Sequence, residues 1–281
     1  MPVDTYVGGA EHATRHLIYA RFWHKFLYDI SVVSSAEPFT KLQHVGLIGG
    51  EDGRKMSKRF GNVINPDDIV ARYGADTLRI YEMFMGPFDQ NIPWSTNNII
   101  GSRRFLERIW RLKEKVSEDT KNISLSSETQ VLIHRTIKKV GDDIDSFGFN
   151  TAISSLMILL NTLEKEPTID TQTYATFLSL IAPFAPHIAE ELWHLIGYTD
   201  SITHALWPHY DQNMLLTRTH TIAVQVNGKL RATFSIPTGT EEKTWREQAL
   251  ILPDVLKYIA EKEILNVIVV PEKLINIVVK T

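Results

Sequence analysis

Gly49-Gly50-Glu51-Asp52-Gly53-Arg54-Lys55-Met56-Ser57-Lys58-Arg59-Phe60-Gly61-Asn62 is the stretch on which the reading of this chain turns. It holds four glycines and four cations, and Met56 and Phe60 are its only apolar side chains. Neither the helical nor the strand period fits it, so it reads as a mobile loop. Its glycines let the backbone bend around an anion, and its cations are dense enough to hold one. A solvated basic turn is the plain alternative. It is not a P-loop, because no glycine-lysine-Ser/Thr run opens a helix here.

Around this loop the chain has 281 residues, 43% hydrophobic and 22% charged, which suits a globular protein of about two domains. The net charge of -3 makes it no polycation, so any nucleic acid must meet local basic patches. With no cysteine, a disulfide framework and a thiolate metal site are excluded, and a cytoplasmic setting fits. No apolar run is long enough to span a membrane, and no internal repeat is visible.

Upstream of the loop, residues 3–7 read as a strand ended by Gly8-Gly9, and residues 10–29 as a helix. Glycines at a strand-to-helix junction admit a ligand to the backbone, and a helix N-terminus favours negative charge. His12 and His16 fall four apart, on one helical face, and with Glu11 they raise the alternative of a metal-dependent hydrolase, although the HExxH order is absent. Residues 41–48 read as a buried strand through Leu42, Val45, Leu47 and Ile48, delivering the chain to the loop.

Downstream, Asn65-Pro66-Asp67-Asp68 is a strong helix start: a cap, a proline at the first helical position, and acids matching the dipole. Gly74 stops that helix, and 77–85 forms another. Helices then follow over 99–116, 129–145, 150–164, 171–182 and 187–196, a bundle whose first member carries Arg103, Arg104, Arg108, Arg111, Lys113 and Lys115 against Glu107 and Glu114. That surface is either a solvated face or a phosphate-contacting one. The last segment is β-rich: strands 221–226 and 229–236 flank Asn227-Gly228, a type I′ hairpin signal. Helices 241–250 and 253–261 precede strands 267–270 and 274–279, which pair across Pro271-Glu272. Lys229 and Arg231 share a strand face, and Lys273 is expected to join them in a basic patch.

Lys55-Met56-Ser57-Lys58-Arg59 resembles the KMSKS signature loop of class I aminoacyl-tRNA synthetases, in a variant ending in Arg. Pro2-Val3-Asp4-Thr5-Tyr6-Val7-Gly8-Gly9-Ala10-Glu11-His12-Ala13, then His16-Leu17 and Tyr19-Ala20-Arg21-Phe22-Trp23-His24-Lys25, is similar to the leucyl branch of that family, bacterial type. Ala182-Pro183-Phe184-Ala185-Pro186-His187-Ile188-Ala189-Glu190-Glu191-Leu192-Trp193 resembles the helical domain that follows the catalytic one. Val226-Asn227-Gly228-Lys229-Leu230-Arg231 and Val270-Pro271-Glu272-Lys273-Leu274-Ile275-Asn276 resemble the branch's C-terminal domain.

The resemblance implies that the loop closes over ATP, with Lys55 and Lys58 on its β and γ phosphates and Met56 and Ser57 beside them. Gly8, Gly9 and Glu11 would lie against adenosine, where a carboxylate accepts hydrogen bonds from both ribose hydroxyls. His12 and His16 would border the amino acid and adenylate, Leu47 and Ile48 the adenine edge. Magnesium would arrive with ATP. Arg104, Arg108, Lys229, Arg231 and Lys273 would contact tRNA(Leu).

The expected fold is multidomain α/β, all-α and α+β: 1–96 as the C-terminal half of a Rossmann-type catalytic domain, 97–217 as an anticodon-binding-like helical bundle, 218–281 as a small α+β tRNA-binding domain. One departure stands out: the family's His-Ile-Gly-His-type motif and its inserted editing domain are missing. The expectation is therefore a split-enzyme subunit or a C-terminal piece that needs an N-terminal half to activate leucine and charge tRNA. A non-catalytic RNA-binding protein derived from a synthetase is the alternative from another class.

Overall fold

The computed structural model describes residues 1–117, 123–215, 219–237, 240–260, 262–270 and 273–280. The strands β1 (Val3–Gly9) and β2 (Phe39–Val45) pair in parallel, Val3 opposite Phe39 and Gly9 opposite Val45, joined by a short 3-10 turn (Ala10–Thr14) and α1 (His16–Asp29). The helix expected over 10–29 is thus broken at Arg15, whose φ of -137° and ψ of -73° leave the helical region. The buried strand expected over 41–48 also differs. It stops at Val45, and Leu42 is 43% exposed, because a two-stranded sheet leaves faces uncovered. The break falls at Gly46, where the backbone of Gln90 approaches so closely that a Cβ would lie 1.8 Å from its carbonyl oxygen. Only glycine fits there. The chain resumes as β3 (Ile48–Gly49), parallel to β4 (Ile92–Pro93).

After the loop, α2 (Pro66–Tyr73) starts as its sequence dictates, the Asn65 side chain accepting from Asp67 N at 3.2 Å. Gly74, at φ 91°, turns the chain into α3 (Ala75–Phe84). Two cores meet on α3. Leu78 and Tyr81 join Ile69, Trp94 and Ile99 in a small cluster beneath the loop. Ile80 points into the main core, built from α4 (Ile99–Leu112), α5 (Ser127–Asp145), α6 (Phe149–Leu163), α7 (Thr171–Ile181) and α8 (Pro186–Leu195). Between α4 and α5, β5 (Val116–Ser117) pairs with β6 (Ile169–Asp170), which leads into α7.

This sharing explains why Met1–Tyr210 forms one compact unit, with Asp211–Thr281 a second. The expected boundary at 217/218 lies outside the described residues. The second unit begins with α9 (Gln212–Leu215) and carries a sheet ordered β8-β7-β10-β9, from β7 (Thr219–Val226), β8 (Lys229–Pro237), β9 (Ile264–Val270) and β10 (Leu274–Val279). The helices α10 (Glu242–Ile251) and α11 (Pro253–Ile259) supply Trp245, Ala249, Val255 and Ile259 to its core. The Asn-Gly turn is present, with φ of 48° at Asn227 and 78° at Gly228. Asn227 also bonds both ways to Val279, at 2.9 and 3.1 Å, so the turn residue ties β10 to the hairpin. The Pro271-Glu272 connection lies outside the described residues.

The two prolines between α7 and α8 leave backbone groups without helical partners. Side chains of α3 satisfy them. Asp76, 8% exposed, accepts from Ile188 N at 2.7 Å and from His187 Nδ1 at 2.8 Å, acting as a remote cap for α8, which has no side-chain cap of its own. One turn on, Arg79 donates to the carbonyls of Pro183 at 2.8 Å and Phe184 at 3.1 Å. Replacing Asp76 with Ala removes a charged acceptor from buried amides, at a cost of about 2–3 kcal/mol. Urea denaturation of Asp76→Ala should show that loss, and a midpoint equal to the parent's contradicts the capping role.

Candidate active site

Because β1 and β2 are parallel, both carboxyl ends lie at one edge of the sheet, where ligands of open α/β sheets gather. The Gly8-Gly9 turn leaves from one end. From the other, Leu47 and Ile48 lead into the glycine-rich loop. A Cβ on Gly9 would fall 2.3 Å from Glu11 Oε2, so Glu11 folds back over the bare backbone of Gly9. The His12 and His16 rings meet edge to face at 5.8 Å, and His16 lies 5.6 Å from the Tyr6 ring. Glu11 is thus turned towards the glycines, and among the described residues no group of three His, Asp or Glu side chains could hold a metal. The metal-hydrolase alternative finds no support in that arrangement.

The loop is less free than its composition suggests. Gly50 N donates to Arg54 O at 2.8 Å, and Gly49 bridges Lys55, which makes a tight hairpin. Asp52 accepts from Arg54 N at 3.0 Å, and Asn62 Nδ2 donates to Asp52 at 3.1 Å, closing the loop's two ends on each other. The Arg54 backbone N–H, then Asn62 and the Arg54 guanidinium, hold the Asp52 carboxyl down to about 2. Asn62 Oδ1 also accepts from Ser57 N at 2.9 Å. Glu51 receives the Thr96 N–H at 3.1 Å, and that hydroxyl and amide lower its pKa. Met56 packs against the small cluster under the loop, and the Ser57 hydroxyl caps the 3-10 turn Lys58–Phe60 by accepting from Arg59 N. Both residues, expected at the nucleotide, hold the loop itself in shape.

The cations divide accordingly. Arg54 is neutralised by Asp52 and stacks on Phe60 at 4.6 Å. Lys55, Lys58 and Arg59 are exposed, and no carboxylate among the described residues pairs with them. Three charges without a carboxylate partner on one tethered loop give it a positive potential that attracts anions. Lys55 and Leu47 line one small cleft of about 140 Å³ with Asn91, whose side chain accepts from Leu47 N at 2.7 Å. Ile48 packs into the cluster under the loop. Asp52, Asn62 and Asn91 escaped the sequence reading. Asp-Gly and Asn are turn residues, but nothing in spacing shows that Asp52 and Asn62 bind each other across ten positions.

The cations chosen for RNA are not equivalent. Arg104 is exposed on α4 with no partner among the described residues, whereas Arg108 is held by Glu164 at 2.5 Å and by Asn161. Arg231 lies 3.8 Å over the Tyr258 ring. Lys229 sits at the hairpin end, opposite Val226, while Lys273 lies at the other end of β10, its carbonyl accepting from Ala223 N. Lys273 thus stands on the far side of β7 from β8, beside Ala223, while Lys229 faces Val226.

Two family models match this chain. Residues 11–95 match tRNA synthetases class I (I, L, M and V), and residues 130–245 the anticodon-binding domain of tRNA ligase. The leucine–tRNA ligase of Leptospira biflexa serovar Patoc is 51% identical over 99% of this chain, which spans 32% of that relative. The AgnB2 leucyl-tRNA synthetase of Agrobacterium radiobacter K84, solved in a ternary complex with tRNA and LeuAMS, superposes with a TM-score of 0.77 at 33% identity, over 100% of this chain and 39% of its own. Methionyl-tRNA synthetase of Mycobacterium tuberculosis, solved with methionyl-adenylate, shares the fold over 70% of this chain and 45% of its own, with a TM-score of 0.54 at 16% identity. The chain spans about a third of the length of the ligases it matches. With the KMSKR string in the loop, these matches show this chain to be similar, over its whole length, to about a third of a leucine–tRNA ligase of the class I tRNA synthetases.

Proposed function

We propose that this chain supplies the signature-loop half of a leucine–tRNA ligase active site, activating leucine with ATP and transferring it to tRNA(Leu). The observation that carries this reading is that, of two parallel strands ending at one edge, one leads into the Glu11-covered glycine turn and the other towards a loop whose Lys55 and Lys58 have no carboxylate partner among the described residues. In activation the leucine carboxylate oxygen attacks the α-phosphorus of ATP, and the bond to the bridging oxygen of pyrophosphate breaks. Lys55 and Lys58 offset the charge that grows on that leaving group, from positions held before the reaction by Asp52, Asn62 and the Ser57 cap. Glu11 accepts from the ribose hydroxyls while Gly8 and Gly9 let adenosine approach the backbone, and Leu47 and Ile48 flank the base. His12 and His16 border the amino acid. In transfer, a terminal ribose hydroxyl of the tRNA attacks the acyl carbon and AMP departs. Magnesium, when bound, shields phosphate charge. The described residues offer it no three-group cluster, so triphosphate oxygens are its natural ligands.

Catalysis in this reading also needs the His-Ile-Gly-His-type motif, which is not among these 281 residues. On α1, only Leu17 and His24 are buried, while Phe22 is 68% and Trp23 56% exposed. Such a face calls for cover. We assign that cover to an N-terminal half carrying the His-Ile-Gly-His-type motif and the editing domain. Among the described residues no helix is long and apolar enough to cross a membrane, and we place the enzyme in the cytoplasm. Arg104, Lys229 and Arg231 are the cations we assign to the tRNA backbone, with Lys273 as a separate contact and Arg108 as a brace for α4. Unaltered Lys55, Lys58 and Glu11 favour this reading over a non-catalytic RNA-binding remnant.

Three outcomes test the reading. In the reconstituted enzyme, Lys58→Ala should slow leucine-dependent ATP–pyrophosphate exchange by about two orders of magnitude, roughly 3 kcal/mol of transition-state stabilisation. Unchanged exchange sinks the assignment. The chain alone should show no exchange and should regain it when mixed with the remaining portion of such a ligase; full activity by itself would show the active site to be misread. Deleting the second unit, from Asp211 onward, should leave exchange nearly intact and sharply reduce tRNA charging. Equal losses in both assays on one preparation would make that unit a folding support.

A further inference from the structure

A second cavity, of about 790 Å³, opens where the α2–α3 turn, α4 and the start of α8 meet, and it shares no residue with the strand-end site. Part of its wall is aromatic and apolar: Tyr73, Trp110 and Leu106 line it, and Trp110 is 44% exposed. Arg103 and Arg111 add charge to the same lining. Two carboxylates are also there, but both are engaged, Asp76 with the amides of α8 and Glu107 with Arg103 at 2.9 Å. Among the described residues Arg111 reaches the Glu107 carbonyl alone, at 3.4 Å. At the first turn of α3, which has no side-chain cap, Thr77 lines the cavity. Its side chain is 1% exposed, yet its Oγ1 finds no hydrogen-bond partner among the described residues.

A buried hydroxyl without a partner is costly, and a polar atom of a bound molecule removes that cost. The volume suits a ligand with a ring system, far more than a lone phosphate needs. Aromatic walls suit a flat ring, and arginine suits phosphate. We propose that this cavity binds a single nucleotide, its base stacked against Trp110 and Tyr73, a polar edge atom on Thr77 Oγ1, and its phosphate on Arg111 and Arg103. The nucleotide is either free or an unstacked residue of an RNA strand; the second source rests on the function proposed above, the first does not.

The test uses the whole 281-residue chain labelled with 15N at tryptophan. The indole N–H signal of Trp110, assigned with Trp110→Ala, is followed during titration with each of the four ribonucleoside 5′-monophosphates and, separately, with a leucine-accepting tRNA transcript. A shift with a monophosphate supports binding of the free ligand; a shift with the transcript alone supports the RNA source. In either case Arg111→Gln should weaken binding at least tenfold, and Thr77→Val at least threefold, both read from the retained Trp110 signal, while Thr77→Val melts no lower than the parent. No shift with any probe, or unweakened binding by both Thr77→Val and Arg111→Gln, overturns the proposal. If Trp110 is silent while the reconstituted enzyme still charges tRNA, the cavity assignment falls and the functional reading stands. If Trp110 shifts and exchange is absent, the reverse holds.

Discussion

The buried carboxylate of Asp76 is the interaction on which this arrangement depends. A proline-interrupted corner cannot satisfy its own backbone, and the corner between α7 and α8 lies against α3. Asp76 takes the part-buried amides and Arg79 the carbonyls left without helical partners, so opposite charges one helical turn apart meet opposite ends of one break. The cost of leaving any of these groups unpaired in the interior fixes the rotation of α3 about its axis. Once α3 is fixed, so are Gly74, α2 and the loop that α2 terminates.

The loop then shows how a flexible composition becomes a positioned one. Its glycines allow the hairpin, but Asp52 and Asn62 hold it closed and Met56 anchors it to the cluster of Ile69, Leu78, Tyr81 and Trp94. Charge is sorted in the same step. Arg54 is drawn back to Asp52 and Phe60, and the remaining cations are exposed with no carboxylate partner among the described residues. An anion meeting them displaces no ion pair, which is the electrostatic form of preorganisation. At the end of the neighbouring strand Glu11 lies over Gly9, where any side chain would evict it.

The second unit uses the same economy of polar groups. Asn227 serves as turn residue and as the tie to Val279, and Gly228 N donates to Asn276 Oδ1 at 3.0 Å, so one hairpin tip organises three strands. Its basic side chains are divided by that organisation. Arg231 is stacked on Tyr258, and Lys273 is carried to the far end of a parallel strand.

By itself the sequence determined the elements with strong local physics. The Asn65-Pro66 cap, the Asn227-Gly228 turn, the bundle helices and the loop were legible because capping, positive φ and the helical period act within a few residues. The identity of Lys55, Lys58, Gly9 and Glu11 as a candidate site was legible too, through their string. Only the tertiary structure decided where helices and strands break. Arg15 looks helical in sequence, and Gly46 is needed because Gln90, far along the chain, presses on it. Only folding revealed that Arg108 is bound to Glu164 while Arg104 is not, and that α3 joins two cores into one unit. These outcomes depend on partners dozens of residues apart, and hydrogen bonds and close packing at that separation leave no period or spacing in the sequence for a local reading to detect.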